Sequence, residues 1–429
     1  MNTLDSALGA TVLTQVRDWL SDPLESRFPY DAVLAAFHET GKEAVSRDLL
    51  LLLDEVREQF PRVGGSPVRT SLLRDFLDVA LDKYDGRYDY PSYTGLRLLP
   101  MPSVDEPDLL AEIALPRRDR LTLQLLADVV RFELDAMDGT ERRLPGMRPT
   151  PREVDKRLRH ALRVAAPARE RVLDMEFPHD ASVTEQGRWL VDVMGFRLDD
   201  HERDALRLSM LPVDTVHDEH LFIRTLQLFE TTFSTLAVLL YRVVRDVDDG
   251  DAEAAAGGLR SCASLLAESA PLFSMLATMQ IEAFRRFREL TSGASAIQSR
   301  SYKLVESLCR RPDDERLDSA AYVSVPDVRR RVLEGVLSVD DVVDLSEARG
   351  GAAAPGLLDA MDDLATTVQR WRQTHYALAV RNLGQRSGTG YTEGTPYLDV
   401  VRGIPVFRAR DAGAEGRCPV AGVREVGDV

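Results

Sequence analysis

Trp371-Arg372-Gln373-Thr374-His375, with Ser387-Gly388-Thr389-Gly390 shortly downstream, is the stretch on which the reading of this chain turns. Leu364, Val368, Trp371, His375, Leu378 and Asn382 recur at alternating steps of four and three. That is the period of one helix face, so the spacing predicts an amphipathic helix with His375 pointing inward. An inward imidazole is either a core group bonded to a backbone carbonyl or a ligand. The glycines that follow allow a backbone to approach a ligand closely, although Gly-Thr-Gly alone reads equally well as a flexible turn. The run lacks the lysine and the spacing of a P-loop, which argues against a nucleotide.

Outward from this helix the pattern is helical almost throughout, rich in Leu, Ala, Arg, Glu and Asp and poor in alternating β-branched runs, so an all-α chain is expected. A tyrosine-rich break from Asp85 to Gly95 predicts a loop, and Thr150 before Pro151 predicts the start of a helix reaching about Leu173. A boundary is expected near Pro178 to Thr184. Beyond it, Thr215 and Asp218 have the spacing of a capping box ahead of a helix with the stripe Phe222, Leu226, Phe229, Phe233, Leu236 and Leu240. A second helix is expected from about Leu259 to Leu290, with Phe284 and Arg288 on one face, and a third from Ser295 to about Arg310. The segment from Pro312 to Pro355 reads as an excursion before the histidine helix.

With 429 residues, 44% of them hydrophobic, the chain can bury a large core. A formal charge of -16 repels phosphate backbones, which argues against nucleic acid or an anionic membrane as the main partner. Cys262, Cys309 and Cys418 are odd in number and far apart, so neither a disulfide framework nor a zinc site is expected. There is no secretory leader pattern and no apolar run of membrane-spanning length, so a cytoplasmic protein is expected. His217 and His220 lie three apart beside two acids, but with no third histidine nearby the pair reads as structural. No Gly-x-Ser-x-Gly elbow supports a hydrolase.

Four separated blocks carry a resemblance. His217-Asp218-Glu219-His220-Leu221-Phe222-Ile223, then Phe287-Arg288-Glu289 with Ala294-Ser295 and Gln298-Ser299, then Trp371-Arg372 with His375, and finally Gly388-Thr389-Gly390 stand in the order found in tryptophan 2,3-dioxygenases. Over about residues 190 to 410 the chain thus resembles that haem-dependent aromatic oxygenase superfamily. The resemblance implies an all-α helical bundle of the tryptophan 2,3-dioxygenase type, with an additional N-terminal helical region over 1–190, a haem-binding domain over 191–412 and a C-terminal tail over 413–429. It implies haem b with His375 as the iron ligand, Trp371 packed beside it, O2 as co-substrate and a small aromatic amino acid as substrate.

By the same resemblance Arg288 grips the substrate carboxylate, a role that suits a planar guanidinium. The alternative is that Arg285, Arg286 and Arg288 form a solvated helix face. Phe222 and Phe284 would pack on the substrate ring, and Thr389, between Gly388 and Gly390, would meet its ammonium group. Arg381 and Arg386 are candidates for the haem propionates or for solvent. A homo-oligomer is expected. Two departures stand out: the family's distal histidine falls at Leu226 and a neighbouring tyrosine at Phe229, so both polar groups are gone. The readings are therefore oxygen insertion across the indole C2–C3 bond of L-tryptophan or a similar amino acid to give an N-formylkynurenine-type product, hydroxylation or rearrangement of a modified tryptophan or tyrosine, or a non-catalytic haem-binding or scaffold protein.

Overall fold

The computed structural model describes residues 3–59, 71–106, 111–349, 354–383 and 394–408. Among these residues there is no β-strand, only one isolated parallel bridge between Gly146 and Val216. Four helices, α1 (Thr3–Ser21), α2 (Tyr30–Thr40), α3 (Arg47–Glu58) and α4 (Leu72–Ala80), come first. They gather one hydrophobic cluster, which includes Val16, Trp19, Phe37, Leu53 and Phe76 and is joined by Leu98, Leu208 and Leu211. After them the short α5 (Tyr90–Tyr93) is set by a capping box at Asp89. The tyrosine-rich break is thus packed: Tyr90 and Tyr93 are both buried.

A second, larger cluster is built by α6 (Ala111–Met137), α7 (Pro151–Val172), α8 (Val183–Arg197), α9 (Asp200–Leu208), α10 (His217–Asp248) and described residues of the later helices. The helix expected from Pro151 forms, with Thr150 and Glu153 exchanging both bonds of a capping box. The boundary expected near residues 178–184 falls inside this larger cluster, while the smaller one draws on residues 12–81.

The central element is α10, which packs against α6, against α11 (Ala252–Glu268) and against α14 (Arg300–Cys309). Its stripe proves too narrow an expectation, because from His217 to Leu240 nearly every side chain is buried, polar ones included. Such a helix is surrounded by protein, and each charge it carries needs a partner. The Thr215–Asp218 capping box does not form: Val216 is the N-cap and no side chain caps it. Asp218 instead accepts from buried Arg157 at 2.6 Å and from the Gln280 amide at 2.7 Å. Glu219 reaches back to the Val213 and Asp214 amides.

The helix expected from Leu259 to Leu290 is divided into α11, α12 (Pro271–Leu276) and α13 (Ile281–Glu289), with a 99° bend before α13. Pro271 opens the second piece, where its missing N–H costs nothing. The third expected helix starts later, at Arg300, after a short 3-10 turn at Ala296–Gln298. The excursion is four helices, α15 (Asp314–Asp318), α16 (Ala320–Val323), α17 (Pro326–Leu333) and α18 (Val339–Ala348), which add Val328, Val332 and Val342 to the larger core. The histidine helix is α19 (Pro355–Leu383), laid against α11, and α20 (Thr395–Arg402) packs on it. Gly258 in α11 leaves room for α10, since a methyl there would lie 2.6 Å from Val243. No single described helix is long and apolar enough to cross a membrane.

Candidate functional site

The helices α10, α12, α13, α14, α19 and α20 converge on a cavity of about 270 Å³. Along α10 the steps of four that bring Phe222, Leu226 and Glu230 onto one line bring all three to its wall, with Phe229 and Phe233 beside them. Phe273 comes from α12, Phe284, Phe287 and Arg288 from α13, Tyr302 and Lys303 from α14, and Trp371, Arg372, His375 and Leu378 from α19. The rings pack edge to face: Phe222 lies 5.5 Å from Phe284, and Trp371 lies 5.1 Å from Phe233 and 5.6 Å from Phe229. The bend before α13 is what turns Phe284 and Arg288 inward.

His375 is half-buried at this wall, with Trp371 at 5.3 Å and Phe273 stacked at 6.2 Å. Among the described residues no hydrogen bond reaches its imidazole, and no carboxylate pairs with it. Burial alone lowers its pKa to about 4. It is thus neutral at physiological pH, with a ring nitrogen free to ligate. A lone neutral imidazole facing a wall of phenylalanines and one tryptophan is a donor set that fits a flat, apolar, iron-bearing macrocycle.

The arginine cluster divides. Arg286 faces solvent and pairs with Asp214 at 2.8 Å, whereas Arg288 lines the cavity. Arg381 lies on the exposed face of α19, away from the cavity lining. Arg386, Gly388, Thr389 and Gly390 lie outside the described residues. Leu383 and Gly394, the described residues on either side of that segment, both line the cavity. Leu226 and Phe229 occupy the wall as the sequence places them, both apolar.

Several wall residues were given no role in the sequence reading. Arg372 donates to the Tyr302 hydroxyl at 2.7 Å and to the Ile404 carbonyl at 2.5 Å, which fixes the turn of α19 just before His375. Lys303 is buried, lies 3.2 Å from Glu306, and is held down to about 8 by its burial. Glu230 is buried with Tyr90 donating to it at 3.1 Å. The signal for Glu230 was present in the sequence as an acid at the next step of four after Phe222 and Leu226. The role of Arg372 was not legible, because its partners Tyr302 and Ile404 are distant in sequence, whereas Lys303 and Glu306 stand three apart in α14.

His217 and His220 do not reach this cavity. Both stack on Phe132 of α6, at 4.6 and 4.0 Å, and lie 3.3 Å from Glu133 and 3.2 Å from Asp128. Arg157 and Arg224 complete this buried lattice.

The described fold is all-α, consistent with the tryptophan 2,3-dioxygenase type. No protein-family model matches the chain. Individual relatives do. The tryptophan 2,3-dioxygenase of Anaeromyxobacter dehalogenans (strain 2CP-C) is 25% identical over 240 residues, covering 48% of this chain and 89% of that protein. That of Burkholderia multivorans (strain ATCC 17616 / 249) is 25% identical over 277 residues, covering 54% and 88%. About half of the chain is therefore a tryptophan 2,3-dioxygenase-like segment, of an oxidoreductase superfamily.

Proposed function

We propose that this protein is a haem-dependent oxygenase of an aromatic amino acid, L-tryptophan or one like it, adding O2 across the indole C2–C3 bond to form an N-formylkynurenine-type product. The observation that carries this reading is the His375 imidazole, without a hydrogen-bond partner among the described residues, in an aromatic cavity, within a chain similar to named dioxygenases over about half of its length. Haem b, held through His375, would supply the activation of O2, chemistry that no side chain in the cavity offers.

The residues of the chain bind and orient. Arg288 takes the substrate carboxylate, through two parallel charge-assisted bonds. Phe222 and Phe284, already packed on each other, hold the ring by its faces and exclude water. Thr389 is the expected partner of the ammonium group. Trp371 and Arg372 fix the rotation of α19 and so the aim of His375. The replacement of a polar distal pair by Leu226 and Phe229 favours a second reading, a relative that hydroxylates or rearranges a modified tryptophan or tyrosine, and product identity separates the two.

The test is the full chain loaded with haem, reduced, and exposed to O2 with L-tryptophan, methyltryptophans and L-tyrosine, with products identified by mass. An N-formylkynurenine-type product is expected. A hydroxylated product would support the second reading, and failure to bind haem would overturn both.

A further inference from the structure

The cavity contains one acid whose environment the proposed function leaves unused. Glu230 is 1% exposed on α10, yet it forms part of the cavity wall. Its Oε1 accepts from the Tyr90 hydroxyl at 3.1 Å. The hydroxyls of Ser299 and Ser301 face the carboxyl, but no hydrogen bond of ordinary geometry reaches Oε2 among the described residues. Burial holds the carboxyl above its usual range. Leaving a buried oxygen unmatched is unfavourable, and Oε2 has acceptor capacity that, among the described residues, only the nearby Ser299 and Ser301 hydroxyls approach.

Tyr90 is itself pinned, because its amide donates to Gln298 Oε1 at 3.0 Å and Gln298 also accepts from the Ser295 amide at 3.1 Å. The acid is therefore presented by a braced corner where α5, α10 and the turn before α14 meet. Elsewhere the cavity surface near α10 is hydrocarbon: Phe222, Leu226, Phe229 and Phe233.

We infer that Glu230, oriented by Tyr90, is the specificity-determining acceptor for a hydrogen-bond donor on the substrate's ring, an indole N–H or a phenolic O–H. The inference rests on the aromatic amino acid reading above and narrows it to ring systems that carry a donor. A carboxyl offers an acceptor oxygen whether ionised or protonated, so the role holds in either state. Tyr90 is a positioning residue, and Leu226 leaves the donor no competing partner from its own side chain.

Calorimetric titration of the full, haem-loaded chain tests this with two pairs of near-isosteric ligands: L-tryptophan against its benzothiophene analogue, in which sulfur replaces N–H, and L-tyrosine against L-phenylalanine. The wild type is expected to prefer the donor-bearing member of the accommodated pair by about tenfold or more. Glu230→Gln, which keeps a carbonyl acceptor, should retain most of that preference, and Glu230→Leu should reduce it to within about twofold. Tyr90→Phe should weaken the preference without changing the fold, and so tests the idea even where Glu230→Leu does not fold. Equal binding of donor-bearing and donor-free ligands by the wild type, or an undiminished preference in Glu230→Leu, would overturn this inference alone. Failure of every aromatic amino acid to bind would overturn it together with the functional reading.

Discussion

Inward-facing histidines occur in two settings in this protein, and the contrast between them separates structure from chemistry. At the start of α10, His217 and His220 stack on Phe132 and lie beside Glu133 and Asp128, which also pair with Arg157 and Arg224. On α19, His375 has aromatic neighbours and a cavity, and among the described residues no carboxylate pairs with it. In the first setting the imidazoles are part of a closed lattice that holds α6, α7 and α10 together. In the second the ring is flanked by Trp371 and Phe273 and faces the cavity. His217 and His220 are fully enclosed by protein and present no open side to a ligand, whereas His375 stands at a cavity wall.

The largest effect expected from this contrast is on haem. His375→Ala should abolish stable haem binding, read from the loss of the Soret band, while far-ultraviolet circular dichroism stays at wild-type strength. His217→Ala should do the reverse, keeping haem affinity while lowering the melting temperature. Retention of the Soret band by the first variant would erase the distinction.

Next in size is the lattice itself. Arg157 is fully buried, donating to Glu133 at 2.8 Å and to Asp218 at 2.6 Å. Arg157→Met strands two buried acids and should cost about 3 to 5 kcal/mol in denaturant unfolding. A loss below about 1 kcal/mol would mean that the lattice is far more hydrated than its burial indicates.

Arg288→Ala should keep haem and weaken amino acid binding roughly 30- to 100-fold, the scale of a lost charge-assisted pair. Arg286→Ala, on the solvent side, should leave binding within about twofold. Equal losses from the two would return the cluster to a solvated helix face.

The smaller effects concern pH. Burial lowers His220 and His38 to about 4, so both stay neutral in the fold while their unfolded counterparts take up protons below about 6.5. Their contribution is complete above pH 6.5 and is lost as pH falls from there to about 4, at most about 3 kcal/mol each. Glu219 acts in the opposite sense. Pushed up to about 8 by burial, it favours the fold at low pH, and that share is lost as pH rises from the usual carboxylate range through 8. Replacing His220 by Gln should flatten the acid side of the stability curve, and replacing Glu219 by Gln the alkaline side. Unchanged slopes in both variants would show that neither group is coupled to folding.

Periodicity was enough for α19: the steps of four and three from Leu364 to Asn382 place His375 and Trp371 on the cavity side, as expected. It was also enough for α7, where Thr150, Pro151 and Glu153 specify the helix start locally. It failed where a partner distant in sequence took over. Asp218 looked like a capping acid because its spacing from Thr215 is right, but Arg157, 61 residues away, binds it instead. The run from Leu259 to Leu290 reads as one helix by hydrophobic pattern alone, but Pro271 within it marks the start of α12, and the 99° bend before α13 has no counterpart in that pattern. Leu226 and Phe229 were legible as losses, whereas the unmatched oxygen of Glu230 became visible only when Tyr90, more than a hundred residues earlier, was brought beside it.

The sequence by itself determined the helical class, the inward face of the histidine helix and the order of the four blocks, because helix period, capping chemistry and motif order are local properties of the chain. The tertiary structure alone decided which arginine of the cluster enters the cavity, which histidines lie enclosed beside carboxylates and which acid keeps one oxygen outside hydrogen-bond geometry. Those properties depend on burial and on side chains contributed by other helices, and an isolated stretch of sequence carries no record of what will be packed against it.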